Sequence, residues 1–252
     1  MKIGVCGGFD RLEDAKKAGY DYLELPASGV AAMTEEEFAQ AQKTKQNTGL
    51  PTPAFNVLFP GTIDLMGGST DQEIRDYLEK CFSRVEKLGG ETVVFGSGRS
   101  RNRPEGMTYA QAFRRLAEVT RMIGEAAARH GVTVVIEPLN RKESNMINSV
   151  AEAACLQAAA DHPAVKVLAD YYHVTMDGEP FEDILRVSGV SHVHIAAAIS
   201  RLYPVAPEAG FEPFFDVLRR AGYSGSVSVE GRTDDFEKDA PAALRFLREL
   251  IG

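Results

Sequence analysis

The chain has 252 residues, of which 44% are hydrophobic and 25% charged, and its formal net charge is −8. This length and composition predict a globular, soluble protein with a large core. The negative charge argues against a nucleic-acid partner, because such binding depends on clustered Lys and Arg that neutralise phosphates.

The sequence shows no targeting or membrane segment. It contains no run of eighteen apolar residues, and it begins with a strand-like stretch, MKIGVC, instead of a charged region followed by a long apolar one. Its three cysteines, Cys6, Cys81 and Cys155, form no CxxC pair and no even disulfide framework. We therefore expect reduced thiols that serve as small packing residues, a cytoplasmic location and no membrane partner.

In chain order, eight short runs rich in β-branched residues alternate with longer amphipathic segments. The runs are KIGVC (2–6), YDYLEL (20–25), TPAFNV (52–57), ETVVF (91–95), VTVVIE (132–137), VKVLAD (165–170), SHVHIA (191–196) and SVSVE (226–230). Such runs, apolar on both faces and separated by helices, are typical of strands in a parallel sheet.

Helix boundaries are marked at both ends of several segments. Three starts have the spacing of a capping box: Thr34 with Glu37, Thr70 with Glu73, and Ser149 with Glu152. Four ends place a glycine just before the next strand, in KKAGYDYLEL, EKLGGETVVF, ARHGVTVVIE and RRAGYSGSVSVE.

Eight βα units in a chain of this length predict a (β/α)8 TIM barrel, and the absence of any linker predicts one domain over residues 1–252. An open doubly wound sheet is the alternative, but CGGFD after the first strand is not a dinucleotide-binding GxGxxG. The stretches 57–69 and 96–107 are predicted as long loops on the catalytic face.

Four ligand-type residues lie at the ends of the last four predicted strands: Glu137, Asp170, His194 and Glu230. In a closed barrel these strand ends converge on one mouth, so the four side chains can share one ion. Three carboxylates and an imidazole suit Mn²⁺, Mg²⁺, Co²⁺ or Zn²⁺. The sequence thus predicts a divalent-metal site.

Two further histidines leave alternatives open. His192 faces the same way as His194 because the strand period is two, so His192 is either a buried core residue or the ligand in place of His194. His173, three residues after Asp170, is either a donor to a substrate oxygen or an ordinary surface-loop residue.

The motifs VVIEPLNR, ADYYH, HVHIA and SVSVEG, in this order on the last four strands, resemble the xylose isomerase-like TIM barrel superfamily. They are most similar to its sugar phosphate isomerase/epimerase branch, which includes ketose 3-epimerases and hydroxypyruvate isomerases. The resemblance implies one Mn²⁺ or Mg²⁺ ion held by Glu137, Asp170, His194 and Glu230.

The resemblance also implies that Glu137 and Glu230 are the acid and base catalysts and that His173 contacts the substrate. In such a reaction the ion polarises a ketose carbonyl, a carboxylate removes the neighbouring proton, and an enediolate forms. Family members commonly carry an Arg after the strand-seven histidine. Here three alanines intervene in HIAAAISRLY, and Arg201 is the candidate substrate-binding residue.

Further candidate substrate contacts are Glu24 and Asn56, which close strands two and three and could also cap helices. The loop GRSRNRPEG adds Arg99, Arg101 and Arg103, whose guanidinium groups suit a phosphate or carboxylate, although a solvated charged loop explains them equally.

The leading hypothesis is therefore a metal-dependent isomerase or epimerase of a small keto-sugar or hydroxy-keto acid. The alternatives are an inosose-type dehydratase of a cyclic polyol ketone and a non-catalytic binding barrel. A nuclease with a histidine-rich zinc centre is disfavoured, because the chain has only five histidines in total and a net charge of −8. Relatives of this kind are often homo-oligomers.

Overall fold

A computed structural model describes residues 1–252 and shows a closed barrel of eight parallel strands that pair in chain order. The predicted (β/α)8 barrel is confirmed. Its strands are β1 (Lys2–Cys6), β2 (Tyr22–Pro26), β3 (Ala54–Asn56), β4 (Thr92–Phe95), β5 (Thr133–Ile136), β6 (Val165–Asp170), β7 (Val190–Ile195) and β8 (Ser226–Val229). The barrel closes between β1 and β8, where Lys2 is in register with Ser226.

Ten helices surround or cap the barrel: α1 (Leu12–Ala18), α2 (Ala27–Ala32), α3 (Glu35–Thr48), α4 (Asp71–Lys87), α5 (Gly98–Arg101), α6 (Tyr109–Arg129), α7 (Val150–Ala160), α8 (Tyr171–Met176), α9 (Phe211–Arg220) and α10 (Phe236–Ile251). Short 3-10 helices cover Phe9–Arg11 and Phe181–Arg186. No helix is both long and apolar enough to cross a bilayer.

The strand bounds differ from the predicted ones by up to two residues at either end. The most useful difference concerns the glutamates, because β5 ends at Ile136 and β8 at Val229, so Glu137 and Glu230 are the first residues beyond their strands. The predicted loop 96–107 is also corrected, since it contains the short helix α5.

The predicted signals for helix starts and ends are found in the structure, with one exception. Thr34 and Thr70 each form a complete capping box with the glutamate three residues later. Ser149 accepts the N–H of Glu152, but the Glu152 carboxylate accepts from Asn148 N–H instead of from Ser149 N–H, so the predicted third box is not closed. The glycine after α1, Gly19, has φ +92°, a left-handed conformation that ends the helix with little strain.

Successive side chains along each strand point alternately toward the helices and into the barrel, so the protein has two apolar clusters. Leu23 and Val134 point outward into the apolar layer between barrel and helices, while Val94, Val135 and Leu168 form a small apolar cluster within the barrel. Two residues after Val135 and Leu168 come Glu137 and Asp170. The period of two therefore places these carboxylates above an apolar plug, at the C-terminal mouth.

Candidate metal centre

The structure brings the four strand-end side chains together. One ligand atom from each of Glu137, Asp170, His194 and Glu230 lies within 4.8 Å of all the others. Strand register places two of them side by side, because Asp170 is the direct partner of His194 on the neighbouring strand. The first three side chains are buried, and Glu230 is partly exposed at the mouth.

His194 presents its Nδ1 atom to this group. Nδ1 lies 3.2 Å from Glu137 Oε1 and 3.5 Å from Glu230 Oε2, whereas Nε2 lies 2.9 Å from Glu24 Oε1 on the opposite side of the ring. A ring whose Nε2–H donates to a carboxylate keeps Nδ1 free to ligate, which is the usual arrangement of metal-binding histidines.

His192 lies one layer deeper and is not part of this group. Its Nε2 is 2.8 Å from Glu24 Oε2, and the side chain is buried. Of the two alternatives left open by the sequence, the structure therefore gives His192 the position of a buried, hydrogen-bonded core histidine, and it places only His194 beside Glu137 and Glu230.

Glu24 occupies a different place from the one predicted. It was expected to contact a substrate hydroxyl or cap a helix, but it is fully buried inside the barrel. Its carboxylate accepts from His192, from His194 and, at 2.5 Å, from Ser228 Oγ. With both oxygens bonded to protein groups, Glu24 orients the two histidines from below.

The three carboxylates of the cluster differ in the direction in which their pKa values are shifted. Burial, together with the charge of Glu230, raises the pKa of Glu137 above its ordinary value, and the same two causes raise the pKa of Asp170 to about 6. Burial also opposes ionisation of Glu230, but His194 and Arg201 outweigh it and lower its pKa to about 2.

These groups fit a divalent cation. Burial would lower the pKa of His194, yet Glu24 and Glu230 raise it well above its usual value, so in the metal-free protein this ring carries a proton and a positive charge. A divalent ion bound at Nδ1 would replace that proton and neutralise the surrounding carboxylates. Three oxygen donors and one nitrogen within 4.8 Å form a set that accepts Mn²⁺, Mg²⁺, Co²⁺ or Zn²⁺.

His173 lies at the edge of the same site and not in a surface loop. It is on α8, is buried, and accepts at Nδ1 from the backbone N–H of Asn140 at 3.1 Å. Burial lowers its pKa, so the ring is neutral with its proton on Nε2. That Nε2 has no hydrogen-bond partner and lies 3.7 Å from Asp170 Oδ2, which leaves a donor available to a substrate oxygen.

Arg201 reaches the site from the loop after β7. Its Nη2 donates to Glu230 Oε2 at 2.8 Å and its Nη1 to Glu143 at 3.0 Å, while the guanidinium lies over the Tyr172 ring. Asn56, the predicted contact at the end of β3, donates to the other Glu230 oxygen at 3.3 Å. Both side chains therefore hold Glu230 in place.

The three arginines of the α5 region have different positions, which corrects the interpretation of Arg101 as an anion-binding group and leaves that of Arg99 a prediction. Arg99 is exposed. Arg101 is fully buried and donates to the carbonyl oxygens of Phe95 at 2.9 Å and Glu137 at 2.7 Å. Arg103 donates to the Met107 carbonyl at 2.6 Å. Arg101 therefore fixes the backbone that carries Glu137.

Several residues that shape the site were not singled out in the sequence. Asn140 and Glu143 follow β5 in the segment PLNRKE, and a search for polar residues after each strand would have found them. Gly96 follows β4, and a Cβ atom there would collide with the Glu137 carboxylate. Cys6, read as a packing residue, ends β1 beside His194 and Glu230.

Fold and site together define a parallel (β/α)8 barrel with a candidate metal centre at the carboxyl ends of its strands. The chain belongs to the xylose isomerase-like TIM barrel family, whose model matches residues 12–250. This confirms the resemblance inferred from the strand-end motifs.

Three comparisons describe its similarity to characterised relatives. The 3-dehydro-D-guloside 4-epimerase of Escherichia coli K12 is 28% identical over 251 residues, covering 92% of each chain. The D-psicose 3-epimerase of Agrobacterium fabrum is 25% identical, covering 87% of this chain and 77% of the relative. A crystal structure of a D-psicose 3-epimerase in the presence of D-fructose superposes with a TM-score of 0.88 over 100% of both chains at 21% identity, a likeness of fold.

Proposed function

We propose that this chain is a divalent-metal-dependent sugar epimerase or isomerase that acts on a small keto-sugar through an enediolate, with Glu137 and Glu230 as its acid–base pair. Two relatives that span most of the chain are named as epimerases of keto-sugars. The observation that carries the proposal is the pair of glutamates flanking His194 Nδ1, at 3.2 and 3.5 Å.

The two glutamates would serve opposite halves of the reaction. One removes a proton from the carbon beside the substrate carbonyl, and the other gives a proton to the same carbon from the other side. Without the ion, His194 and Arg201 lower the pKa of Glu230 while burial raises that of Glu137, so the two carboxylates differ in their readiness to hold a proton. The roles exchange in the reverse reaction.

The remaining side chains position the substrate and the pair. Glu137, Asp170, His194 and Glu230 would hold the metal ion, which would polarise the carbonyl and make the adjacent C–H acidic. His173 Nε2–H, unpartnered in the protein, would donate to a substrate oxygen. Arg201 and Asn56 would keep the Glu230 carboxylate directed at the reacting carbon.

The test is deuterium incorporation from D₂O. We expect metal-loaded protein to incorporate solvent deuterium into one or more of D-fructose, D-psicose and D-tagatose, read by mass spectrometry and by NMR after the metal is removed. Deuterium at C3 identifies a 3-epimerase, and deuterium at C1 identifies an aldose–ketose isomerase.

Glu137→Gln and Glu230→Gln should each abolish incorporation while the barrel stays folded. Glu105→Gln is the matched control, because Glu105 is an exposed glutamate in the 96–107 segment on the same face. Wild-type deuterium incorporation by either site variant would refute the acid–base assignment. If metal-loaded wild type incorporates no deuterium into any of the three ketoses, the proposed reaction is refuted.

A further inference from the structure

A thiol lies beside the candidate metal centre, and the proposed reaction does not use it. Cys6 is the last residue of β1 and is in register with Glu24 on β2. Its Sγ, a ligand nitrogen of His194 and a carboxylate oxygen of Glu230 all lie within 4.8 Å of one another. The other two cysteines are elsewhere: Cys81 is buried on α4 and Cys155 is exposed on α7.

His194 and Glu230 therefore belong to two overlapping ligand groups. One adds the carboxylates of Glu137 and Asp170, and the other adds the sulfur of Cys6. Oxygen-rich groups suit Mn²⁺ and Mg²⁺, whereas thiolate ligands select thiophilic ions. Because both groups use the side chains of His194 and Glu230, ions in the two groups would compete for them.

We propose that Cys6, His194 and Glu230 form a second metal position, which takes a thiophilic divalent cation such as Cd²⁺, Zn²⁺ or Co²⁺ in competition with the hard ion of the catalytic position. As the metal–sulfur bond forms, the thiol proton is released to solvent. The inference rests on the proposed function only in that the two positions share His194 and Glu230.

The spacing allows this with side-chain movement alone. Ligand atoms around a tetrahedral ion with bonds of about 2.0–2.3 Å lie roughly 3.5 Å apart. The three atoms already lie within 4.8 Å of one another. Cys6 is a partly exposed residue at the carboxyl end of β1, on the same barrel face as the candidate metal centre.

The test is optical titration of the metal-stripped protein with Co²⁺, because a cobalt–thiolate bond gives a charge-transfer band in the near ultraviolet that oxygen and nitrogen ligands do not. We expect the band in wild type and in Cys155→Ser, which removes the exposed thiol, and its loss in Cys6→Ser. Lack of the band in wild type with Co²⁺ bound, or its persistence in Cys6→Ser, overturns the inference.

Calorimetry with Cd²⁺ and Mn²⁺ provides a second readout. Cys6→Ser removes a direct metal ligand and should weaken Cd²⁺ binding by at least about tenfold. Even the loss of a hydrogen-bond partner behind a ligand lowers metal affinity by about tenfold or more. Mn²⁺ binding should remain as in wild type. In wild type, Cd²⁺ should release bound Mn²⁺ one for one, seen as the return of the free Mn²⁺ signal in electron paramagnetic resonance.

Simultaneous binding of both ions would contradict a shared position. The outcome is separable from the proposed reaction, because failure of ketose exchange with Mn²⁺ leaves the cobalt–sulfur band unaffected. Cys6→Ala repeats the test without a hydroxyl at this position and covers the case in which Cys6→Ser folds poorly.

Discussion

Glu24 is the side chain on which the orientation of His194 depends, and Glu24→Gln tests this dependence. Glu24 Oε1 accepts from His194 and Oε2 accepts from His192 and Ser228. Glutamine has almost the same shape but replaces one oxygen with an NH₂ group. That group meets the N–H of one histidine, which loses its acceptor. The other histidine keeps only a neutral amide oxygen, so His194 loses its charged partner in either orientation of the amide.

The expected loss follows from these contacts. A hydrogen bond to a charged partner contributes about 1.5–3 kcal/mol. Loss of the partner behind a metal-binding histidine typically weakens metal affinity by about 10–100-fold, which corresponds to about 1.4–2.8 kcal/mol. We therefore expect Glu24→Gln to weaken Mn²⁺ binding within this range.

The assay is calorimetric Mn²⁺ titration at neutral pH, with thermal unfolding as a check that the variant is folded. Ser228→Ala is the matched control, since it removes a bond to Oε2 and leaves the Oε1 contact with His194 intact. Its Mn²⁺ affinity should stay close to that of wild type. A folded Glu24→Gln protein with wild-type Mn²⁺ affinity would refute the role assigned to Glu24.

Three further predictions concern the surroundings of Glu137 and the protons of the site. Gly96→Ala should reduce Mn²⁺ affinity and exchange activity more than stability, because the added methyl displaces the Glu137 carboxylate; equal activity of the variant and wild type in the deuterium assay would contradict this. Arg101→Lys should lower the free energy of unfolding by about 1–3 kcal/mol, since a single ammonium cannot satisfy the carbonyls that the guanidinium bridges. The exposed neighbour Arg99→Lys should change it by less than about 0.5 kcal/mol, and denaturant unfolding measures both. Mn²⁺ affinity should rise with pH from 5 to 7, because the ion must displace protons from Asp170, whose pKa is raised to about 6, and from His194, whose pKa is raised well above its usual value; pH-independent affinity between pH 5 and 7 would contradict the assignment of these two residues as ligands.

The sequence predicted the barrel and the meeting of the four strand-end side chains for one physical reason. Parallel strands joined by helices place all their carboxyl ends on one face, so distance along the chain does not separate Glu137 from Glu230. The period of two along a strand also placed His192 and His194 on the same side. These inferences need only the order of the elements.

The features that the sequence did not predict depend on how deep each side chain lies at that face of the barrel and on which way it points. Glu24 and Glu137 both lie at strand ends, but only coordinates show that Glu24 is turned into the barrel with its oxygens bonded to histidines. Arg99 and Arg101 lie in one short helix, whose turn sends one outward and the other onto buried carbonyls. Cys6 is a single thiol with no motif around it, and its neighbours come from β7 and from the residue after β8.

The central claim is that one divalent cation is held by Glu137, Asp170, His194 and Glu230. A crystal soaked in Mn²⁺ and measured at the manganese absorption edge tests it most directly. The account predicts one anomalous peak per chain within bonding distance of His194 Nδ1 and of one oxygen from each carboxylate. A peak elsewhere, or full Mn²⁺ binding in solution by a folded Asp170→Asn, Glu230→Gln double variant, would contradict it.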